Sequence, residues 1–410
     1  MDFLIASFGT SGDVMPVIRL GGALRSRGHR VGLVAAPVFR ERAVSSGLDF
    51  FPSADESGHR AAVRDMPLLS TRYRALFIKR HAVNWNERLL AAVAQSAPRF
   101  PAILSVDRPF AWADLYCHSR WNMPCMRLVT DVPVPRHWRL PEQLPFGRPQ
   151  SNLSAGIYRS WESRLRNRGW NSGPSQIVRL SRSILPRLPR LGLWPAWIVG
   201  QGTRLQTTRA FGFILEAVKS PRERPAGARP LLVFVTGTTG TVAAWEEAYR
   251  RTCIEICRRL DAEGILLGAT DASLRAIVPP WFRCERFIPL ERLLTNAAAL
   301  VHHGGIGTSA LALYHGVPQL VVPRVFGQPV NAELMRRLGV ARVVPPECFN
   351  ADTAAHHLAG LLHQPSYRLR SQTVGSHMHP AQDLMNLTAF IETTCQQHHQ
   401  KNRAFAVASP

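Results

Sequence analysis

The chain has 410 residues, 46% of them hydrophobic, with ordinary glycine and proline usage, which is enough apolar material for two domains, each with its own core. No run of eighteen apolar residues occurs, and Met1-Asp2 leads straight into FLIASF without a basic segment or cleavage site, so neither a spanning helix nor a signal peptide is expected and the cytoplasm is the expected location. Fifty lysines and arginines against 28 acidic residues give a net charge of +22, a general attraction for anions, while the seven scattered cysteines lack the paired spacing of a zinc site and read as reduced, mostly buried thiols.

The first predicted elements are a strand at FLIASF, a glycine-rich turn at GTSGDVMP, a helix over 17–27 and a strand at RVGLVAAP. Strand, turn, helix and strand in that order make a βαβ unit and hence a parallel sheet. Apolar runs at 102–106 and 125–129 continue the alternation. The interval 133–212 is rich in proline and arginine, with helical spacing over 157–168 and 175–184. Its Arg159, Arg164, Arg166, Arg168, Arg179, Arg182, Arg187 and Arg190 gather among Trp161, Trp170, Trp194 and Trp197, with Glu162 the only acid over 151–213. Such a basic aromatic face suits an anionic membrane surface or simple solvation; no nucleic-acid-binding signature accompanies it, and no nucleic acid is expected as a partner. PRERPAGARP then marks a domain boundary near 207–230.

From Leu231 the scheme repeats: a strand and Gly/Thr turn at LLVFVTGTTG, a helix over 243–262, a strand at GILLGA, and further strand ends at CERFIPL, ALVHHGG and PQLVVP. The fold class is α/β, with two consecutive Rossmann-like domains. In such sheets ligands lie at the carboxyl ends of strands and phosphates sit on helix N-termini. VHHGGIGT stands at such a place, where glycines admit a diphosphate to the backbone, helix N–H groups attract it, and a histidine or the Thr308 hydroxyl can donate to it. Neither the triphosphate loop GxxxxGK[ST] nor the dinucleotide GxGxxG is present.

The segment HHGGIGTSALALYHGVPQLVVPRVFGQPVNAELMRRLG resembles the donor signature of the GT-B glycosyltransferases that include plant, animal and bacterial natural-product enzymes, and GTSGDVMPVIRLGGALRSRGHRVGLV resembles their acceptor-domain opening. GDVMP, RGHRV and PVFR add a likeness to the bacterial rhamnosyltransferases of rhamnolipid synthesis. The resemblance implies two Rossmann-like domains facing each other across a cleft: an acceptor domain over 1–215, a nucleotide-sugar domain over 216–380, and a terminal helix and tail over 381–410, with the helix expected against the first domain. It implies an enzyme that transfers a sugar from a nucleotide diphosphate to a hydroxyl of a hydrophobic, lipid-like or secondary-metabolite acceptor, while the basic interval adds peripheral contact with the inner membrane face to the expected cytoplasmic location.

Carried onto this chain, the resemblance places the diphosphate on His302 with Gly304, Gly305, Gly307 and Thr308, and leaves His303 structural. Thr238 approaches the phosphates, Phe287 and the Ile288 backbone take the base, and Gln328 and Asn331 face the sugar. The inverting reaction it implies needs a base and a stabilised leaving group; with the diphosphate met by protein groups, no metal and no cofactor beyond the nucleotide sugar are expected. Where many members carry the base in GHxxP, this chain has Asp13 in GDVMP, beside Gly12 on the acceptor side, and the alternative for Asp13 is a plain helix cap. Asp107 falls at the family's orienting acid and reads as an acceptor contact or a surface loop residue. Three departures bear on the donor: Ala310 and Leu290 replace polar groups that meet a ribose, favouring dTDP, and Gly327 replaces the acid before Gln328, favouring a deoxysugar such as rhamnose. The remaining alternatives are a UDP-hexose or UDP-pentose donor, and a catalytically lapsed GT-B protein acting as a binding subunit.

Overall fold

The computed structural model describes residues 1–7, 9–65, 80–81, 83–106, 112–133, 183–199, 208–216, 227–237, 243–268, 278–324 and 327–408. Asp107, Thr238, the helical spacing over 157–168, that over 175–182, and most of the basic interval therefore lie outside the described residues. The chain divides into two compact units: Met1–Ile214 with Ala381–Pro410, and Leu215–Pro380.

The first unit carries strands β1 (Phe3–Ala6), β2 (Val31–Ala35), β3 (Asp49–Pro52), β4 (Ala102–Val106), β5 (Cys125–Val129), β6 (Arg190–Gly192) and β7 (Thr208–Ala210) in one sheet of order β3-β2-β1-β4-β5-β6-β7. All pairings are parallel. The uninterrupted apolar run of β1 is what a strand covered on both faces needs: Phe3 and Ile5 enter one core layer, Leu4 and Ala6 the other. The layer over Phe3 and Ile5 is filled by Val14, Val17, Ile18, Leu20 and Leu24 of the helix Ser11–Ser26 and by Leu387, Ile391 and Cys395 of the terminal helix Pro380–Ala408. A surface clamp holds the same helix, since Glu392 accepts from Arg27 Nε and Nη2 at 2.7 Å each and pairs with His29 Nε2 at 2.7 Å. The Arg27 hydrogen bond leads in lowering the Glu392 carboxyl to about 2.

The second unit repeats the plan with β8 (Leu231–Val235), β9 (Glu263–Leu267), β10 (Phe282–Glu285), β11 (Ala299–His302), β12 (Gln319–Val321) and β13 (Ala341–Val343), ordered β10-β9-β8-β11-β12-β13 and again parallel. Leu232 and Phe234 pack under the helices Ala243–Arg259 and Ala351–His363, while Leu231 and Val233 face the opposite layer with Leu294, Ala312 and Val317. Strand order reverses between β1 and β4 and between β8 and β11, and at such reversals the flanking loops part and open a crevice at the strands' carboxyl ends.

Two expectations are corrected here. The first helix begins at Ser11 rather than 17, with Pro16 inside it. Proline there removes one backbone donor, and the carbonyl left without it belongs to the exposed Gly12, where water can serve it. Trp194 is not part of a basic aromatic face: it is fully buried, in space that Gly192 leaves open, since a Cβ there would sit 2.8 Å from the indole. All seven cysteines are free, and Cys348 alone is exposed.

Candidate active site

In the second unit the chain leaves β11 at His302 and turns through His303, Gly304 and Gly305 into the helix Ile306–Tyr314. Gly304 has φ +86°, a left-handed conformation that side chains resist, and its flank is closed by the Gln328 carbonyl oxygen, 3.0 Å from where a Cβ would lie. Asn331 Nδ2 donates to the Gly304 carbonyl at 2.9 Å and the Arg324 N–H donates to Gln328 Oε1 at 2.9 Å. Gln328 and Asn331, expected to face a sugar, are both buried and spend these groups on shaping the turn.

His302, expected to hold a diphosphate, is placed otherwise. It is 1% exposed, its Nε2 is 3.0 Å from Gln319 Oε1, and its Nδ1 accepts the Gly304 N–H at 3.1 Å. Because Nδ1 accepts, the ring hydrogen sits on Nε2 and donates to the glutamine. Burial first, and then the neighbouring His303, lower its pKa to about 3, so the ring is neutral with both nitrogens committed.

The next imidazole is less enclosed. His303 keeps part of its surface accessible, while its Nδ1 is buried with no hydrogen-bond partner. Its ring lies between two strand-end turns, as Cβ atoms on Gly237 and Gly305 would each come within 2.7 Å of it. Burial and then the Arg324 charge lower its pKa to about 4. Arg324, which the sequence reading passed over, follows the Pro323 that ends the β12 run; burial lowers its own pKa, partly offset by Tyr249. A basic residue one step beyond a strand-end proline was the available signal.

Around these side chains the backbone is receptive to an anion. The helix Ile306–Tyr314 has Gly305 as its N-cap, no side-chain cap and no acid in its first turn, and Gly305, Ile306, Gly307 and Thr308 are all partly accessible. The helix Gln328–Arg337 starts from Gly327 with the same features. Both helix starts keep N–H groups and the positive dipole end for something outside the helix. Phe287 is 62% exposed after β10, not a core aromatic, and Ile288 is half-buried against the apolar layer below. Ala310 is fully buried and lines no surface; the partly accessible neighbour is Leu311, which is apolar like Leu290.

In the first unit the helix start after β1 is filled from within. Asp13 is 6% exposed in the first turn of Ser11–Ser26; its Oδ2 accepts the Thr10 N–H at 3.1 Å and its Oδ1 accepts the Thr130 hydroxyl at 3.2 Å. Gly9 admits this carboxylate, which any Cβ at that position would strike. Gly12, beside it, is exposed. Asp13 thus caps its helix through a Thr-x-x-Asp box. Chemically, the first unit offers a buried carboxylate that accepts from Thr10 and Thr130, and the second unit by itself offers a basic, N–H-rich cradle.

Among the described residues no group of three or more His, Cys, Asp or Glu side chains is arranged to hold a metal ion, and no helix is long and apolar enough to cross a membrane. Of the described tryptophans in the basic interval, Trp197 is exposed.

Comparison with known proteins bears on the fold and the activity. Residues 251–383 match the family model described as Erythromycin biosynthesis protein CIII-like, C-terminal domain. The erythronolide mycarosyltransferase of Saccharopolyspora erythraea is 23% identical over 406 residues, 90% of this chain and 92% of the relative. Among solved structures, the calicheamicin glycosyltransferase CalG4 superposes with a TM-score of 0.73 at 19% identity, covering 97% of this chain and 98% of its own. The glycosyltransferase VinC, solved with dTDP, superposes at 0.65 and 18% identity, covering 97% and 100%. Two doubly wound units, the two glycine-rich helix starts and these likenesses lead to one conclusion: the chain is a glycosyltransferase with the GT-B fold, similar to bacterial natural-product enzymes.

Proposed function

We propose that this glycosyltransferase moves a deoxyhexose from a dTDP-sugar to a hydroxyl of a hydrophobic secondary-metabolite acceptor, with inversion. The observation that carries this is the uncapped start of Ile306–Tyr314, which follows His303 at the strand-order reversal of the second unit, with the Arg324 charge acting on the His303 ring. A diphosphate leaving group develops charge as the sugar departs. Fixed N–H dipoles, the His303 ring and the Arg324 guanidinium are groups that need no reorganisation to meet that charge. His303 takes the role first expected of His302, because its ring keeps part of its surface accessible while both nitrogens of His302 are committed.

In the proposed reaction Asp13 accepts the proton of the acceptor hydroxyl, the oxygen forms its bond to the anomeric carbon, and the carbon–phosphate oxygen bond breaks toward the diphosphate. Exposed Phe287 offers a face on which the base stacks. The preference for dTDP is supported by apolar Leu311 and Leu290, which strand no polar group when a ribose 2′-hydroxyl is missing, and by a solved relative that binds dTDP. The deoxysugar is supported by Gly327, which offers no carboxylate to sugar hydroxyls, and by the mycarosyl specificity in the relative's name; rhamnose is the simplest such donor to try.

A thermal-shift and transfer panel of dTDP-rhamnose, dTDP-glucose, UDP-glucose and UDP-xylose tests the reading, since a ligand that binds only the folded state raises the melting temperature. The dTDP-sugars should give the larger shifts and dTDP-rhamnose the faster turnover. Preference for UDP-glucose across the panel would refute the donor assignment, and absence of any transfer or donor hydrolysis would favour a binding subunit.

A further inference from the structure

We infer that Thr130 is a positioning residue for Asp13: its hydroxyl fixes the carboxylate that takes the acceptor proton. The inference rests on the proposed role of Asp13 as base. Thr130 directly follows β5, two strands from β1, and is 4% exposed. It reaches across 117 positions of sequence to donate to Asp13 Oδ1 at 3.2 Å, while Oδ2 is held by the Thr10 N–H at 3.1 Å. One donor on each oxygen fixes the plane of the carboxylate, which a capping role alone does not require. The Thr10 N–H already completes the helix cap, so the second bond is surplus to capping.

The polarity of the pair is also what the chemistry asks. An imidazole base is held by an acceptor, so that its protonated form is stabilised. A carboxylate base held by a second carboxylate would be repelled and pushed toward its neutral form. A hydroxyl donor holds the charged, proton-accepting form without adding charge. It also lowers basicity, so the proposed residue exchanges some proton affinity for an ionised and oriented base. Ser7 completes the surround from the end of β1, its hydroxyl lying 3.5 Å from the Asp13 carbonyl oxygen, so the side-chain contact from β5 is not a substitute for missing backbone support.

The experiment compares Thr130→Val, which keeps the shape and removes the hydroxyl, with Thr130→Ser, which keeps the donor, and with Asp13→Asn, using transfer from dTDP-rhamnose or whichever panel donor turns over. Thr130→Val should lower kcat by about ten- to a hundredfold with donor and acceptor KM nearly unchanged, the loss expected from a misplaced reacting group. Its acid limb should move up by about one pH unit, because losing a donor to the charged form raises the carboxyl's pKa. Thr130→Ser should restore both. An unchanged acid limb and kcat in Thr130→Val, with Asp13→Asn inactive, would overturn the positioning role while leaving the base standing; an active Asp13→Asn would remove the base itself. If Thr130→Val does not fold, Thr130→Ala is read by the same kcat, KM and pH criteria against Thr130→Ser.

Discussion

The helices Ser11–Ser26 and Ile306–Tyr314 begin in matching surroundings and end up with opposite electrostatics. Each follows a strand at or beside the point where its sheet reverses order, and each has glycine at the second helical position, Gly12 and Gly307. At the third position the first has Asp13 and the second Thr308. Asp13 brings a negative charge into its own helix start and is buried there; Thr308 brings none, and its turn stays partly accessible with glycine as the N-cap. One start is thereby satisfied internally and holds a carboxylate in place, and the other remains able to receive an anion from outside. Two helix starts on opposite sides of a strand-order reversal, one after β1 and one after β11, differ in chemistry through the side chain at the third helical position.

The sharpest way to break this comparison is at the paired histidines. His302→Ala should destabilise the second unit by about 2–4 kcal/mol, since it empties a buried site and leaves the Gln319 amide and the Gly304 N–H without their partner. Equilibrium denaturation measures that loss. His303→Ala should leave stability nearly intact and weaken nucleoside diphosphate binding by about ten- to a hundredfold, the value of one hydrogen bond to a charged group. If the two variants exchange phenotypes, the donor cradle is built around the other ring.

Acid separates the units next. The paired imidazoles after β11 in the second unit have folded pKa values below the usual 6.5, His302 at about 3 and His303 at about 4. The unfolded chain therefore takes up protons first, and the stability of this unit should fall as pH drops from about 6.5 toward 3. Glu392 of the first unit has its pKa lowered from 4.5 to about 2, so its contribution is complete above about 4.5 and is lost only as pH falls through about 2. Unfolding monitored between pH 7 and 4 should thus affect the second unit earlier, and His302→Gln should flatten that decline.

The smallest expected effect is Glu392→Gln. The Arg27 partner is largely exposed and the Glu392 side chain less so, 45% against 16%, so screening limits the loss to about 1 kcal/mol. A change that raised the stability of the first unit would mean the clamp on the terminal helix is not favourable at all.

Much of this architecture was legible from local pattern. The β1 and β8 runs, their glycine turns and the HHGGIGT segment declare a parallel sheet with ligand-facing strand ends, because burial on both faces demands continuous apolar residues. The three-residue strands β6, β7 and β13 are too short to carry a period, and their neighbours in the sheet supply what their own sequence does not. Capping at Thr10-x-x-Asp13 was present in the letters but masked by Pro16, which reads as a helix start when its missing N–H is assumed to matter most. The choice between His302 and His303 was not legible, since Gln319, which claims His302, lies on the adjacent strand 17 positions away. Burial of Ala310 is tertiary in the same sense, and it leaves Leu311 as the partly accessible apolar side chain beside it.

The most direct test of the central claim is to give the second helix start the side chain that closes the first. Thr308→Asp places a carboxylate at the position occupied by Asp13 in its own helix, where it can accept the free N–H groups and oppose an incoming anion. Calorimetric titration with dTDP, run beside thermal unfolding of the ligand-free protein, measures both consequences. Thr308→Asp should bind dTDP at least about tenfold more weakly than the parent chain, with the melting temperature unchanged or raised, as an acid in a first helical turn contributes about 0.3–1 kcal/mol. Undiminished dTDP binding in a folded Thr308→Asp protein would contradict it, because the diphosphate would then be held somewhere other than this helix start.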